Sequence, residues 1–466
     1  LTLSLVAGAS GCAPPPVRDA AAPERDGRDP TRGTAGHPAP VSSIQWYRDD
    51  PAAALARATS EGKLVVVDLW AAWCHTCLSM QEFVLTDEKL PGVASRFVFL
   101  AVDTELARNA AFLDDFPPSG WPTFYVLAPA GPAVRARWIG AASPGQFARF
   151  LADAEHADEL ARAGSAGAEE PWASLARADA LASQARFAEA AESYGQALAR
   201  APSGWHRAPD VRVSRASALL RAGNPGACVD MVFELSFETQ SPAISAADHA
   251  SHVLTCVEQL APSDPRRRPA RERIEARLRG LCEDGAAELT PDDRGDACGN
   301  LISVREALED PAGAKRAAEV RLALLEAAAS GVPDDVAVMY DPARTDTLLW
   351  LGRGEEALGL LEARRAALPD NYTPPYLVGR VALKLRRFEL GLAAITRALD
   401  LVHGPRRANV HAVQAELLAA AGRPEEATLA LRAQLRVLEA LPERQKRPEA
   451  ERRVRERIEK LRAAPR

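Results

Sequence analysis

Residues 63 to 69, KLVVVDL, are apolar at nearly every position and are bounded by Gly62 and Ala71, the pattern of a strand buried on both faces. The chain then reads WAAWCHTC, after which Met80, Phe83 and Val84 fall at helical spacing, so Cys74 and Cys77 lie at the first turn of a helix. RFVFLAVD (96–103) predicts a second strand, residues 104–115 a helix, TFYVLAP a third strand and VRARWIG a fourth. SPGQFARFLADAEHADEL predicts a closing helix, with Ser143 as N-cap and Pro144 in its first turn. Alternating strands and helices point to an α/β unit over residues 43–165. Beyond a small-residue linker near 163–170 the periodicity is helical to the end, giving an all-α region over 170–466.

That second region repeats. Segments FAEAAESYGQAL, GEEALGLLEARR, FELGLAAITRAL and PEEATLALRAQL place Ala190, Ala357, Gly391 and Ala427 at equivalent points, and the last three recur at about 34 residues. Small residues there let two helices cross closely. Leu181, Leu348, Ala382 and Leu418 precede them in partner helices, Gly352 and Gly422 fall at turns, and Pro202 and Pro369 close their repeats. Residues 209–335 are a degenerate version of the pattern.

The N-terminus has a different character. LTLSLVAGASGC is an apolar run too short to span a bilayer and reads as the end of a signal peptide over residues 1–12. A start at Leu1, without methionine or a basic leader, suggests that the charged part of that signal is missing. Residues 13–42 are rich in Pro, Ala, Gly, Arg and Asp, and are expected to form a disordered tether. The 466 residues, 47% of them hydrophobic, suffice for two or three units. Lysine and arginine number 57 against 63 acids, a net charge of −6, which argues against general nucleic-acid binding. The Arg266–Arg268 run and the mixed-sign tail from Glu443 to Arg462 read as solvated surface.

The chemistry concentrates at Cys74 and Cys77. Backbone N–H groups at a helix N-terminus favour an anion, so Cys74 is expected to ionise readily. Two intervening residues put Cys77 within reach of a mixed disulfide at Cys74. His75 either favours the thiolate when protonated or faces solvent and does little. Asp68, six residues earlier on the buried strand, is a candidate general base for Cys77, or else a hydrogen-bonded core acid. Zinc is disfavoured because residues 43–165 hold no second ligand pair, and haem because Leu78 stands where histidine is needed; no metal or cofactor is expected. His249, His252 and Cys256 share a helical face, with a packed face the commoner meaning than a ligand set. No phosphate-cradling loop or nucleophile elbow occurs.

VDLWAAWCHTC and GWPTFYVL closely resemble the active-site and proline segments of the thioredoxin family. That resemblance implies a cis peptide before Pro122 and a substrate groove formed by Trp73, His75, Thr76, Trp121, Pro122 and Thr123. Within the superfamily, GKLVVVDLWAAWCHTCLSMQEFVLTDEKL and RARWIGAASPGQFARFL are most similar to the periplasmic C-terminal domains of bacterial transmembrane thiol:disulfide interchange proteins. Residues 43–160 carry the likeness, with His-Thr where the family usually has Gly-Pro. Ala9-Ser10-Gly11-Cys12 resembles the bacterial lipoprotein box, which implies lipidation of Cys12. The helical repeats look like tetratricopeptide repeats, which implies a concave face for protein or peptide, or a spacer.

The expectation is therefore an α/β thioredoxin fold followed by a tetratricopeptide-like helical solenoid, anchored by lipid and facing the periplasm. It would reduce protein disulfides; the alternative is a repeat adaptor whose thioredoxin-like part only binds. Cys228, Cys256, Cys282 and Cys298 remain as an even set, either two disulfides, most simply between sequence neighbours, or four buried thiols.

Overall fold

The computed structural model describes residues 44–463 apart from 130, 132, 165–170, 235–236, 238–240, 285–288, 443–444 and 447. Cys12, the signal-like segment and the tether lie outside the described residues.

The first part is a five-stranded sheet in the order β1-β3-β2-β4-β5, formed by Trp46–Arg48, Phe97–Asp103, Leu64–Trp70, Thr123–Ala128 and Ala133–Ile139 in that order. β1 and β2 run parallel to β3, whereas β4 is antiparallel to both β2 and β5. Helix α1 (Pro51–Glu61) follows β1, α2 (His75–Phe83) follows β2, α3 (Ala110–Asp115) follows β3 and α4 (Pro144–Arg162) follows β5. The period-two rule sorts β2 cleanly. Val65, Val67 and Leu69 pack with Ala54, Ala58 and Leu113 on the face under α1 and α3. Leu64 and Val66 face Met80, Phe147 and Phe150 on the side of α2 and α4. Asp68 belongs to that second face by the same alternation, which is why a carboxylate ends up beneath α2. Ser143 caps α4 with a full capping box through Gln146.

Two expectations change. Residues 104–115 are helical only from Ala110, after a single 3-10 turn at Ala107–Asn109. The Asp103 carboxylate accepts from the Glu105 amide at 2.8 Å, and Asn109 donates to the Asp103 carbonyl, so local side-chain bonds hold the segment as a turn. β1 and α1 add an edge strand and a helix that the sequence pattern did not show.

The helical part continues as α5 (Trp172–Ser183), α6 (Phe187–Arg200), α7 (Ala208–Arg221), α8 (Pro225–Asp230), α9 (Ala243–Gln259), α10 (Arg267–Cys282), α11 (Pro291–Ala307), α12 (Pro311–Ser330) and α13 (Asp334–Ala337). It ends with α14 (Asp341–Trp350), α15 (Gly354–Ala367), α16 (Thr373–Lys384), α17 (Phe388–Leu401), α18 (Arg407–Ala420), α19 (Pro424–Glu439) and α20 (Pro448–Ala463). One turn recurs: Ala185, Gly352, Arg386 and Gly422 all take the left-handed conformation, each followed by an arginine and then the second helix of the pair. The close crossing inferred at Gly391 is present, because a Cβ there would sit 2.6 Å from Leu417. In the degenerate middle Cys228 is bonded to Cys256 and Cys282 to Cys298, tying α8 to α9 and α10 to α11. With Cys256 committed to a disulfide, His249, His252 and Cys256 do not form a ligand set.

Sheet and repeats form one compact body. α5 and α7 pack along β5, and α11 packs on α2. At the β5 edge the Arg137 amide donates to the Asp179 carboxylate of α5 at 3.0 Å, while the Tyr194 hydroxyl of α6 donates to its other oxygen at 2.7 Å.

Candidate functional site

Cys74 is the N-cap of α2 and Cys77 sits one turn in; the two sulfurs are bonded, with 5.2 Å between the Cα atoms. The Cys77 amide points at the Cys74 sulfur at 3.0 Å, one of the helix N-terminal donors that have no carbonyl partner. The Trp121–Pro122 peptide is cis. Thr123 opens β4, buried, with its hydroxyl donating to the Gly120 carbonyl at 2.8 Å. Trp73 and Trp121 lie 5.0 Å apart between ring centres and pack against the cysteine pair, which is only 4% and 1% exposed.

Asp68 is buried under α2. Its Oδ2 accepts from Gln81 Nε2 at 3.1 Å, and its Oδ1 is buried without a hydrogen-bond partner. Burial disfavours the carboxylate and lifts its pKa to about 7, against the smaller opposing pull of Gln81. A raised folded-state pKa favours the neutral acid, so stability present below about pH 4 is lost as pH rises to about 7. Asp68→Asn is expected to flatten the fall of the thermal midpoint between about pH 4 and 7. In single-turnover kinetics it should slow release of a mixed disulfide about a hundredfold at pH 7.5 and remove the rise in that rate around pH 7. An unchanged pH profile would return Asp68 to the role of a core acid.

His75 is not left to solvent. Its Nδ1 lies 3.0 Å from both oxygens of Asp292 in α11, and its Nε2 3.8 Å from Asp296. Burial opposes its charge, but Asp292 and Asp296 outweigh it and push the pKa up to about 10. The imidazolium therefore persists through neutral pH, and its stabilising contribution, full below about pH 6.5, is lost progressively as pH climbs to about 10. Asp292→Asn should bring the His75 titration, followed by imidazole NMR, down by two or more units. A titration still above pH 9 would discard Asp292 as its partner. Asp292 and Asp296 carry no local signal, being more than 200 residues from His75.

A second tie lies on the other side of Cys74. Trp73 Nε1 donates to Glu105 Oε1 at 2.9 Å, and the Arg406 amide donates to Glu105 Oε2. The Arg406 guanidinium stands 4.9 Å over the Trp73 ring and 5.5 Å over Tyr376. Gly404 makes this approach feasible: at φ +61°, a Cβ would fall 2.1 Å from the Glu105 carbonyl oxygen. Neither Glu105 nor Arg406 was singled out in the sequence, although Glu105 belongs to the loop after the second strand.

The thioredoxin-like family model matches residues 45–129, so the chain carries a thioredoxin-like domain, and a helical-repeat region follows it. It is similar to the thiol:disulfide interchange protein DsbD of Pseudoalteromonas atlantica, 33% identical over 98 residues, covering 20% of this chain and 17% of that protein. DsbD of Actinobacillus pleuropneumoniae is 29% identical over 126 residues, 26% of this chain and 22% of its own. The chain thus spans about a fifth of the length of these relatives. Among solved structures, human IFIT1 bound to PPP-AAAA overlaps 62% of this chain and 64% of its own at TM-score 0.31 and 16% identity. The APC/C Cut9–Hcn1 complex overlaps 61% and 50% at TM-score 0.30 and 14% identity. The repeat character rests on the helix pairs themselves and their recurring left-handed turn. Domain, relatives and the paired cysteines support thiol–disulfide exchange as the class of chemistry. Among the described residues no helix is long and apolar enough to cross a membrane.

Proposed function

We propose that the chain is an extracytoplasmic thiol:disulfide oxidoreductase, anchored through a lipid on Cys12, that reduces disulfides in other proteins. The observation that carries this reading is the Cys74–Cys77 pair at the start of α2, beside a cis Trp121–Pro122 peptide and above buried Asp68. In the reduced protein the Cys77 amide and the start of the helix stabilise a Cys74 thiolate. That thiolate attacks a substrate disulfide, forming a mixed disulfide and releasing one substrate thiolate. Cys77 passes its proton to Asp68 and attacks the Cys74 sulfur, releasing the second substrate thiolate. Two electrons move to the substrate, and the protein is left with the Cys74–Cys77 bond. Pro122, Thr123, Thr76 and the two tryptophans shape the groove for the substrate. Four further cysteines in two disulfides fit an oxidising compartment such as the periplasm.

Trapping tests it. Cys77→Ser lacks the resolving thiol, so reduced full-length protein should accumulate mixed disulfides at Cys74 with extracytoplasmic proteins, seen as reductant-sensitive adducts. A variant that forms no adducts while its repeats still retain partner proteins would favour the second reading, a repeat adaptor with a non-catalytic thioredoxin-like domain. The near-complete burial of both sulfurs is the observation on that side.

A further inference from the structure

Three cavities lie beside the loop that carries Glu105, and Glu105 borders all of them. The first, about 470 Å³, lies between Ala72–Trp73 and the turn at Pro369–Tyr372. The second, about 350 Å³, has Trp73, Trp121 and Pro117 on one wall and Arg406, Ala408 and Leu438 on the other. The third, about 490 Å³, runs from Leu106 and Leu113 to Arg436 and Val437. Trp73 precedes Cys74 and Trp121 precedes Pro122, so the middle cavity is floored by the immediate neighbours of the reacting sulfur and the cis peptide. The thioredoxin-like domain thus supplies one wall of a trough made of these three cavities, and Arg221 of α7 with α15, α17, α18, α19 and their loops supplies the other.

Shape and charge restrict what can lie there. A trough walled on both sides excludes a folded surface but admits an extended backbone, and cavities of about 470, 350 and 490 Å³ exceed the needs of a small thiol. The apolar floor of tryptophan, proline and leucine suits the side chains of such a segment. The charged lining consists of Arg221, Arg406, Arg407, Arg436 and Lys446 against Glu105 and Asp370. Glu105 is already engaged by Trp73 and the Arg406 amide. This cationic excess stands on a chain whose net charge is −6, so the trough attracts what the rest of the surface repels.

We infer that the trough seats an extended, acidic, cysteine-bearing segment of a partner protein, so that the helical repeats select the substrate while Cys74 reacts with it. The inference rests on the exchange reaction proposed above and gives that site its substrate class. Charge complementarity of this kind acts mainly on the association rate and weakens with salt.

The test uses reduced full-length protein and three disulfides: neutral bis(2-hydroxyethyl) disulfide, and two unstructured peptides with a central cysteine capped by mercaptoethanol, one flanked by aspartate and glutamate, the other by lysine. Each peptide rate is divided by the same protein's rate with the neutral disulfide. The acidic peptide should react roughly tenfold or more faster than the lysine peptide at low salt, with the ratio shrinking as salt rises. In the double variant Arg436→Glu, Lys446→Glu the ratio should approach one. Equal rates for the two peptides, or a ratio untouched by the double variant, overturn the trough as a substrate site. Should the neutral disulfide itself fail to react, the redox reading falls, and the trough is then judged by fluorescence anisotropy with a cysteine-free acidic peptide. Binding weakened by the double variant supports it; no binding, or trough-mediated self-association instead, overturns it.

Discussion

Cys74→Ser is expected to lower insulin reduction by the full-length protein more than a thousandfold, to the rate of reductant alone. A serine hydroxyl at the start of α2 does not ionise near neutral pH, so the helix dipole and the Cys77 amide have no anion to stabilise. Cys77, 1% exposed and one turn further into the helix, cannot take over the attack. Cys77→Ser should instead permit a single attack and then stall, because Cys74 keeps its position as N-cap. The pair of variants therefore separates attack from resolution. Equal turnover by wild type and Cys74→Ser would remove the catalytic claim altogether.

The second large effect concerns the scaffold. Cys228–Cys256 and Cys282–Cys298 close loops of 28 and 16 residues, which on the loop-entropy account is worth about 3 to 4 kcal/mol for each bond. All four cysteines are fully buried, at 0% exposure. Replacing Cys228 and Cys256 together by alanine should shift the urea midpoint of helix loss downward by an amount equivalent to about 3 kcal/mol. Mild reductant should open Cys74–Cys77 before either scaffold bond, as thiol counting by mass spectrometry would show. A double variant as stable as wild type would mean that these bonds do not form in the native chain.

Much of the fold is legible in the sequence because its signals are local. The KLVVVDL run announces a central strand, and β2 does lie between β3 and β4. Ser143, Pro144 and Gln146 spell out a helix start, and the glycines at 352 and 422 mark turns whose left-handed geometry they fit. β1 escapes notice because three residues are too few to show a period, and what fixes it is pairing with Phe99 to Ala101 fifty residues away. The 104–115 segment misleads because its composition permits a helix while Asp103 bonds it into a turn.

The site divides along the same line. Cys74, Cys77 and Asp68 are visible because they lie in the motif or on the strand that leads into it, and Pro122 because GWPTFYVL resembles the proline segment of the thioredoxin family. Asp292, Glu105 and Arg406 are not, since nothing in an isolated stretch of α11 or in the turn before α18 says that it will meet the motif. Those contacts follow from how the repeats curve around the sheet, a property of many helix crossings summed together.

The Asp179 contact along β5 has a bearing on any attempt to cut the molecule down. An edge strand offers unpaired amides to whatever strand it meets, and here α5 and α6 cover that rim with a carboxylate held by Arg137 and Tyr194. Excised after Arg162, so that α4 is kept but α5 and α6 are lost, the sheet would present a bare margin, and the fragment should oligomerise through it at concentrations where the intact chain stays dispersed.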